Sequence, residues 1–159
     1  MNVASINNGD ELKDLYRELI LDHSRNPRNF GKLANATHTA EGINPLCGDK
    51  LRLYLLLDAH DQIADARFEG TGCAISVASA SLLTESIIGN SRQHAEELFA
   101  VITERLTSDQ FESTSSPDIG KIRALDGVRE FPARVKCATL AWHAMRSALE
   151  NHSAAASTE

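Results

Sequence analysis

Cysteine is scarce: Cys47, Cys73 and Cys137 are the only three in 159 residues. Three scattered thiols do not make a disulfide framework, and without a C-x2-C pair they do not make an ordinary zinc finger either. Long apolar runs are missing too. No stretch of 18 or more apolar residues occurs, so no membrane span is expected. Positive charge is short as well. The formal net charge is −6, and the basic stripe of a nonspecific nucleic-acid binder is absent; Arg123, Arg129, Arg134 and Lys136 merely fall in one stretch. Met1 to Asp10 is polar and lacks the apolar core of a secretory signal. The expected location is therefore the cytoplasm, where thiols stay reduced and read as metal ligands or reactive groups. The six histidines, His23, His38, His60, His94, His143 and His152, show no metal-ligand spacing, and surface or core roles are expected for each. No internal repeat is visible.

What is present describes one ordinary domain. A hydrophobic content of 42% with 24% charged residues is that of a soluble globular chain long enough to bury a core without staples. Asp10 is placed to cap a helix from about Glu11 to His23, with Leu12, Leu15, Tyr16, Leu19 and Ile20 on one stripe. Asn26-Pro27 ends it. Thr37 to Ile43 is expected as a short strand. Leu51, Leu53, Leu55 and Leu57 alternate with their neighbours as a second strand. After a turn at His60-Asp61, Ala64, Ala66 and Phe68 alternate as a third. The pattern then turns helical from Cys73 to about Ile88, closing at Gly89-Asn90. A helix capped by Ser91 buries Ala95, Leu98, Phe99, Ile102 and Leu106. The polar stretch 108–119 reads as an inserted segment, and Ile119 to Phe131 as a short helix. Pro132 opens a final helix with Cys137, Leu140, Ala141, Ala144 and Ala148 on one face.

The three cysteines have distinctive settings: N-P-L-C-G-D, G-T-G-C-A-I-S and R-V-K-C-A. In extended backbone Cys47 and Asp49 point to one side, with Gly48 relieving crowding between them. Cys73 opens a helix, where free N–H groups and the helix dipole favour a thiolate. Cys137 gains a weaker version of that benefit, beside Lys136. Free cysteine often merely packs, so each thiol alone reads as core. Jointly, with a carboxylate at hand, three thiolates and Asp49 complete a tetrahedral zinc set. The same thiols also suit an iron–sulfur cluster or persulfide transfer.

Longer motifs narrow this. L-Y-R-E-L-I-L-D-H at Leu15 to His23, N-P-R-N-F-G at Asn26 to Gly31, N-P-L-C-G-D at Asn44 to Asp49, F-E-G-T-G-C-A-I-S at Phe68 to Ser76, A-S-A-S-L-L-T-E at Ala78 to Glu85 and R-V-K-C-A-T-L-A-W at Arg134 to Trp142 follow in order. Over Leu15 to Ala148 the chain resembles the IscU/NifU-N-like family of U-type iron–sulfur cluster assembly proteins. Classical IscU members carry histidine before the third cysteine. Lys136 there, with the extra segment between the second and third cysteines, resembles the SufU-type branch. The resemblance implies an α+β fold, a three-stranded antiparallel sheet packed by about five to six helices. The chain reads as a single domain over 10–152, with disordered ends expected at 1–9 and at the low-complexity tail 153–159. The resemblance also implies zinc held by Cys47, Asp49, Cys73 and Cys137, with Arg134 and Lys136 in support. Cys47 is then the nucleophile that accepts persulfide sulfur from a pyridoxal-phosphate cysteine desulfurase of the SufS type, after a histidine of that enzyme replaces it on the metal. Such a protein activates the desulfurase rather than working as a stand-alone enzyme. It hands sulfur to downstream cluster-assembly proteins, with no nucleic-acid or membrane partner. The alternatives are an IscU-type scaffold for a [2Fe-2S] cluster and a noncatalytic module with structural zinc. A cysteine hydrolase is disfavoured because no local motif supplies its histidine.

Overall fold

A computed structural model describes residues 8–108, 119–150 and 156–157. The order is α1 (Asn8–Arg25), β1 (His38–Asn44), β2 (Asp49–Leu57), β3 (Ile63–Thr71), α2 (Ala74–Ile87), α3 (Arg92–Thr107), a 3₁₀ segment (Gly120–Glu130), α4 (Pro132–Leu149) and β4 (Ala156–Ser157). The expected elements are all present. Helix α1 begins at Asn8, so Asp10 lies inside the helix and does not cap it. Most of the expected insertion at 108–119 lies outside the described residues, as do 1–7, 153–155 and 158–159 of the ends expected to be disordered, whereas Asn8 and Gly9 are helical and Ala156–Ser157 form a strand. Ala156 and Ser157 pair in parallel with Gly42 and Ile43. This adds a short fourth strand to the expected antiparallel three, in the order β3-β2-β1-β4.

Alternation decides which way the sheet faces. Leu51, Leu53, Leu55 and Leu57 of β2 are buried, as are Ala66 and Phe68 of β3; fully burying such a leucine contributes about 1.5–3 kcal/mol. The opposite face carries charge: Arg52 pairs with Glu41 at 2.8 Å across β1 and β2, and the Tyr54 hydroxyl donates to Glu69. Parity has a further consequence. Asp49 sits in the same buried row as Leu51, and Asn44, its cross-strand partner, in the buried row of β1 with Ala40 and Gly42. The sheet therefore aims two polar side chains into the interior at one end.

Helices α2 and α4 close over that end. Helix α2 is lined by Ser76, Ala78, Ser79, Ala80 and Ser81, all buried, and such small side chains let a neighbouring helix approach closely. Trp142 of α4 is fully buried there and donates through Nε1 to Ser79 Oγ at 3.1 Å. Gly42 lets α4 rest on β1: a Cβ at that position would come within 3.1 Å of Leu140 Cδ1. One helical turn before Leu140 is Cys137. Helix α1 is tied to α2 by the fully buried His23, whose Nδ1 lies 2.7 Å from Ser81 Oγ and whose Nε2 lies 3.5 Å from Glu85. The Ser91 hydroxyl accepts the His94 N–H at 3.0 Å and caps α3 as expected.

Gly70 has φ +140°, and a Cβ there would overlap the Lys50 carbonyl oxygen and stand 2.8 Å from Leu51 Cα. Gly70→Ala is expected to cost about 2–4 kcal/mol in urea unfolding. Gly89→Ala, strained only by its φ of +85° with open space around it, should cost about 1–2 kcal/mol.

Burial, reinforced by Arg28, holds the His23 pKa below its ordinary value, with Glu85 and Asp22 partly offsetting. The unfolded chain then binds the proton more readily than the folded one. Stability from this group is present above the unfolded value of about 6.5 and is lost as pH falls below it. The unfolding free energy should decline from pH 7.5 to 5.5, and His23→Asn should flatten that decline in parallel titrations.

Candidate metal centre

The site forms where the β1–β2 hairpin, the start of α2 and the second turn of α4 meet. Asn44 and Asp49 close the hairpin as its last paired residues, and residues 45–48 form the turn. Cys47 is therefore not in extended backbone, as the C-x-D spacing implied. Gly48 does not relieve crowding either: a Cβ there would meet nothing within 4 Å, and its need is for φ +72°. The turn still brings the Cys47 sulfur back over the sheet end, because the chain reverses direction between Asn44 and Asp49.

Three donors converge tightly. The ligand atoms of Cys47, Asp49 and Cys137 all lie within 4.8 Å of one another. The Cys47 and Cys137 sulfurs are 3.8 Å apart, and all three cysteines are free thiols. Cys73 stands outside that trio yet adjoins it, with Sγ 4.0 Å from Asp49 Oδ2. Exposure separates the donors: Cys47 is exposed, Cys73 half-buried and Cys137 buried, and Asp49 is 1% exposed.

Asp49 is held on both oxygens. The Cys73 N–H donates to Oδ1 at 2.9 Å and the Ser76 hydroxyl to Oδ2 at 2.7 Å. Both donors belong to the start of α2, whose N-terminal dipole also favours an anion. Gly72 makes that approach possible, since a Cβ there would stand 3.0 Å from Asp49 Oδ1 and 3.1 Å from Ser76 Cβ. Without these contacts a carboxylate at this depth would be strongly unfavourable.

The two inner thiols differ. Burial opposes the Cys73 thiolate, but the Ser76 N–H, with the Ser76 and Cys137 side chains beside it, outweighs that, and the Cys73 pKa falls below the ordinary value. Burial pushes the Cys137 thiol up, helped by Asp49 and Cys73. The helix-start benefit expected for Cys137 is thus overridden in the metal-free site. Arg134 is exposed and Lys136 half-exposed; neither is hydrogen-bonded or ion-paired to the four donor groups.

Two contributors escaped the sequence reading. Ser76 is fully buried, and its hydroxyl reaches Asp49, the Cys73 sulfur at 3.7 Å and the Cys137 carbonyl at 3.3 Å. Its i, i+3 spacing from Cys73 was the available signal. Asn44 is also fully buried; its Nδ2 donates to Cys137 Sγ at 3.8 Å and its carbonyl accepts the Cys47 N–H at 3.2 Å. Among the described residues no histidine takes part: His23 and His143 are packed between helices, the latter edge-on to Phe99 with ring centres 5.2 Å apart, His38 lies against Thr37 and Arg92, and His60 and His94 are exposed. His152 lies outside the described residues.

The donor set fits zinc. Tetrahedral zinc with thiolates at about 2.3 Å sets sulfur–sulfur separations of about 3.8 Å, the distance between Cys47 and Cys137. An amide N–H aimed at the Cys137 sulfur suits a thiolate acceptor. Cys73, with Sγ 4.0 Å from Asp49 Oδ2, stands beside the trio of Cys47, Asp49 and Cys137.

Among the described residues no helix is long and apolar enough to cross a membrane. The family model of the NifU-like N terminal domain matches residues 15–158. The zinc-dependent sulfurtransferase SufU of Bacillus subtilis is 45% identical over 134 residues, covering 84% of this chain and 88% of that protein. The iron-sulfur cluster assembly scaffold protein IscU of Streptococcus pyogenes is 36% identical over 140 residues, covering 88% and 86%. A crystal structure from Fervidobacterium islandicum, of a candidate cluster assembly scaffold for the SUF system, superposes with a TM-score of 0.74. It is 38% identical and covers 83% of this chain and 94% of that one. By this match along nearly its whole length, and by relatives spanning most of their own, the chain belongs to the family of NifU-like N-terminal domains.

Proposed function

We propose that the protein is a zinc-dependent sulfur acceptor of iron–sulfur cluster biogenesis, taking sulfur from a pyridoxal-phosphate cysteine desulfurase of the SufS type in the cytoplasm. One observation carries the reading: a zinc-sized donor cluster in which a single sulfur, Cys47, faces solvent while Asp49 and Cys137 are buried. The relative named as a zinc-dependent sulfurtransferase supports it. Cys47, Asp49, Cys73 and Cys137 are the residues assigned to the metal. Zinc, when bound, keeps the thiols deprotonated and restrains their nucleophilicity until a partner arrives.

The residues divide the work. Asp49, Cys73 and Cys137 hold the site from the protein side. Cys47, on its four-residue turn, is the donor able to swing outward. Its thiolate attacks the outer sulfur of the desulfurase's cysteine persulfide. A new bond forms between Cys47 Sγ and that sulfur, the partner's S–S bond breaks, and the partner's cysteine leaves as a thiolate. No net oxidant is needed, because one sulfane sulfur moves between two thiols. Lys136 and Arg134, close before Cys137 on α4, add positive charge near it in the chain, which favours anionic sulfur and draws an acidic partner face. Transfer of that sulfur to downstream cluster-assembly proteins completes the role.

Cys47→Ser should abolish acceptance of labelled persulfide sulfur and the stimulation of desulfurase turnover, while circular dichroism shows a folded chain. Wild-type sulfur uptake by that variant would refute the role. Metal removal should also register in stability. With zinc at about 100 times its dissociation constant, binding contributes about 2.7 kcal/mol, so verified chelation should lower Tm by about 5–11 °C. Protein isolated without oxygen should be colourless, with one zinc and no acid-labile sulfide. Visible absorbance with iron and sulfide would instead favour the scaffold reading, which the IscU relative motivates.

A further inference from the structure

We infer that Ser76 is the positioning residue that keeps the centre intact while Cys47 is away from it. The inference rests on the zinc reading above and concerns how this chain's own residues retain that ion. Handing over Cys47 poses a physical problem: a four-donor site that releases one donor must hold its metal with three. Those three come from separate segments, Asp49 from β2, Cys73 from the entrance to α2, and Cys137 from α4. Nothing in the covalent chain joins them.

One buried hydroxyl does. Ser76 Oγ donates to Asp49 Oδ2 at 2.7 Å, lies 3.7 Å from Cys73 Sγ and 3.3 Å from the carbonyl oxygen of Cys137. Ser76 is fully buried, so water is not the obvious substitute for these contacts. A hydroxyl has one proton and two lone pairs. The carboxylate, as the nearest and most basic acceptor, takes the proton, and it is the Ser76 backbone N–H that serves the Cys73 sulfur. The Cys73 N–H fills the other carboxylate oxygen. Asp49 and the first turn of α2 are thereby fixed as one body, against which the Cys137 carbonyl of α4 packs, its oxygen 3.3 Å from Ser76 Oγ. Cys47 is outside this arrangement: its own backbone tie is to Asn44, and its turn is free to move without disturbing Ser76.

The division predicts a conditional effect. With Cys47 present, four donors retain the metal even if the hydroxyl is lost. With Cys47 absent, the remaining three depend on Ser76 to stay in register. The experiment loads four full-length chains with one zinc each: unaltered, Ser76→Ala, Cys47→Ala, and the double variant. Release to an excess of a coloured chelator is followed in time. Ser76→Ala should speed release at least about 10-fold in the Cys47→Ala background, the scale of such supporting contacts, and by a clearly smaller factor when Cys47 is present. Ser76→Thr, which keeps the hydroxyl, should restore slow release in the same background.

Equal acceleration in both backgrounds, or none, overturns the inference. So does Ser76→Thr releasing as fast as Ser76→Ala. Lower thermal stability of Ser76→Ala with unchanged release would likewise overturn it and leave Ser76 a packing residue. If the unaltered chain takes up no stoichiometric zinc, the metal reading itself fails, an outcome separate from these.

Discussion

The buried Asp49 carboxylate is the interaction on which the site's architecture turns. A carboxylate 1% exposed is tolerable only where fixed donors replace water, and here the start of α2 provides them through the Cys73 N–H and the Ser76 hydroxyl. That requirement pins the end of the sheet to the end of a helix. The small residues of α2 then admit α4, and α4 delivers Cys137. The arrangement is self-consistent: the contact that stabilises the carboxylate also positions two of the three thiols. Removing Asp49 would not simply subtract a ligand; it would leave two donors of α2 without their acceptor.

Function follows from unequal burial within one donor set. Four equivalent and enclosed ligands make a structural metal site. In this chain Asp49 and Cys137 are buried within a strand and a helix, Cys73 is half-buried at the entrance to α2, and Cys47 rides on a four-residue turn in solvent. The same contrast separates a sulfur that reacts from sulfurs that hold. The relatives named as a zinc-dependent sulfurtransferase and as a cluster scaffold mark the two chemistries that such a thiol-rich centre can serve.

Much of this was legible in the residues. The alternation of Leu51, Leu53, Leu55 and Leu57 identified β2, Ser91 the cap of α3, and Pro132 the opening of α4, because each rests on a local rule of backbone or periodicity. The candidate donors were also named from the sequence, since the chain has few thiols, and the structure brings Cys47, Asp49 and Cys137 together with Cys73 beside them. The inference about Gly48 went astray because two effects of glycine, small volume and positive φ, look identical in a sequence. Reading Cys137 as a helix-start thiolate failed for a related reason: position along a helix is local, whereas burial by the sheet and α2 is not. Ser76 passed unnoticed among the serines and alanines of α2, where composition says only that the helix packs closely.

The sequence by itself determined the element types, the inventory of donors and the parity that places Asp49 on the inner face of β2. Each of these is set by residues within a few positions of one another, through sterics and hydrophobic period. Only the tertiary structure decided that Cys47, Asp49 and Cys137 meet within a few ångströms, that Cys73 adjoins them through Asp49, and that Cys47 is the exposed cysteine, Cys73 half-buried and Cys137 buried. Those facts depend on how α2 and α4 settle on the sheet, a matter of side-chain volumes at Gly42, Gly72 and Ser76 spread over a long stretch of chain, which no local pattern encodes.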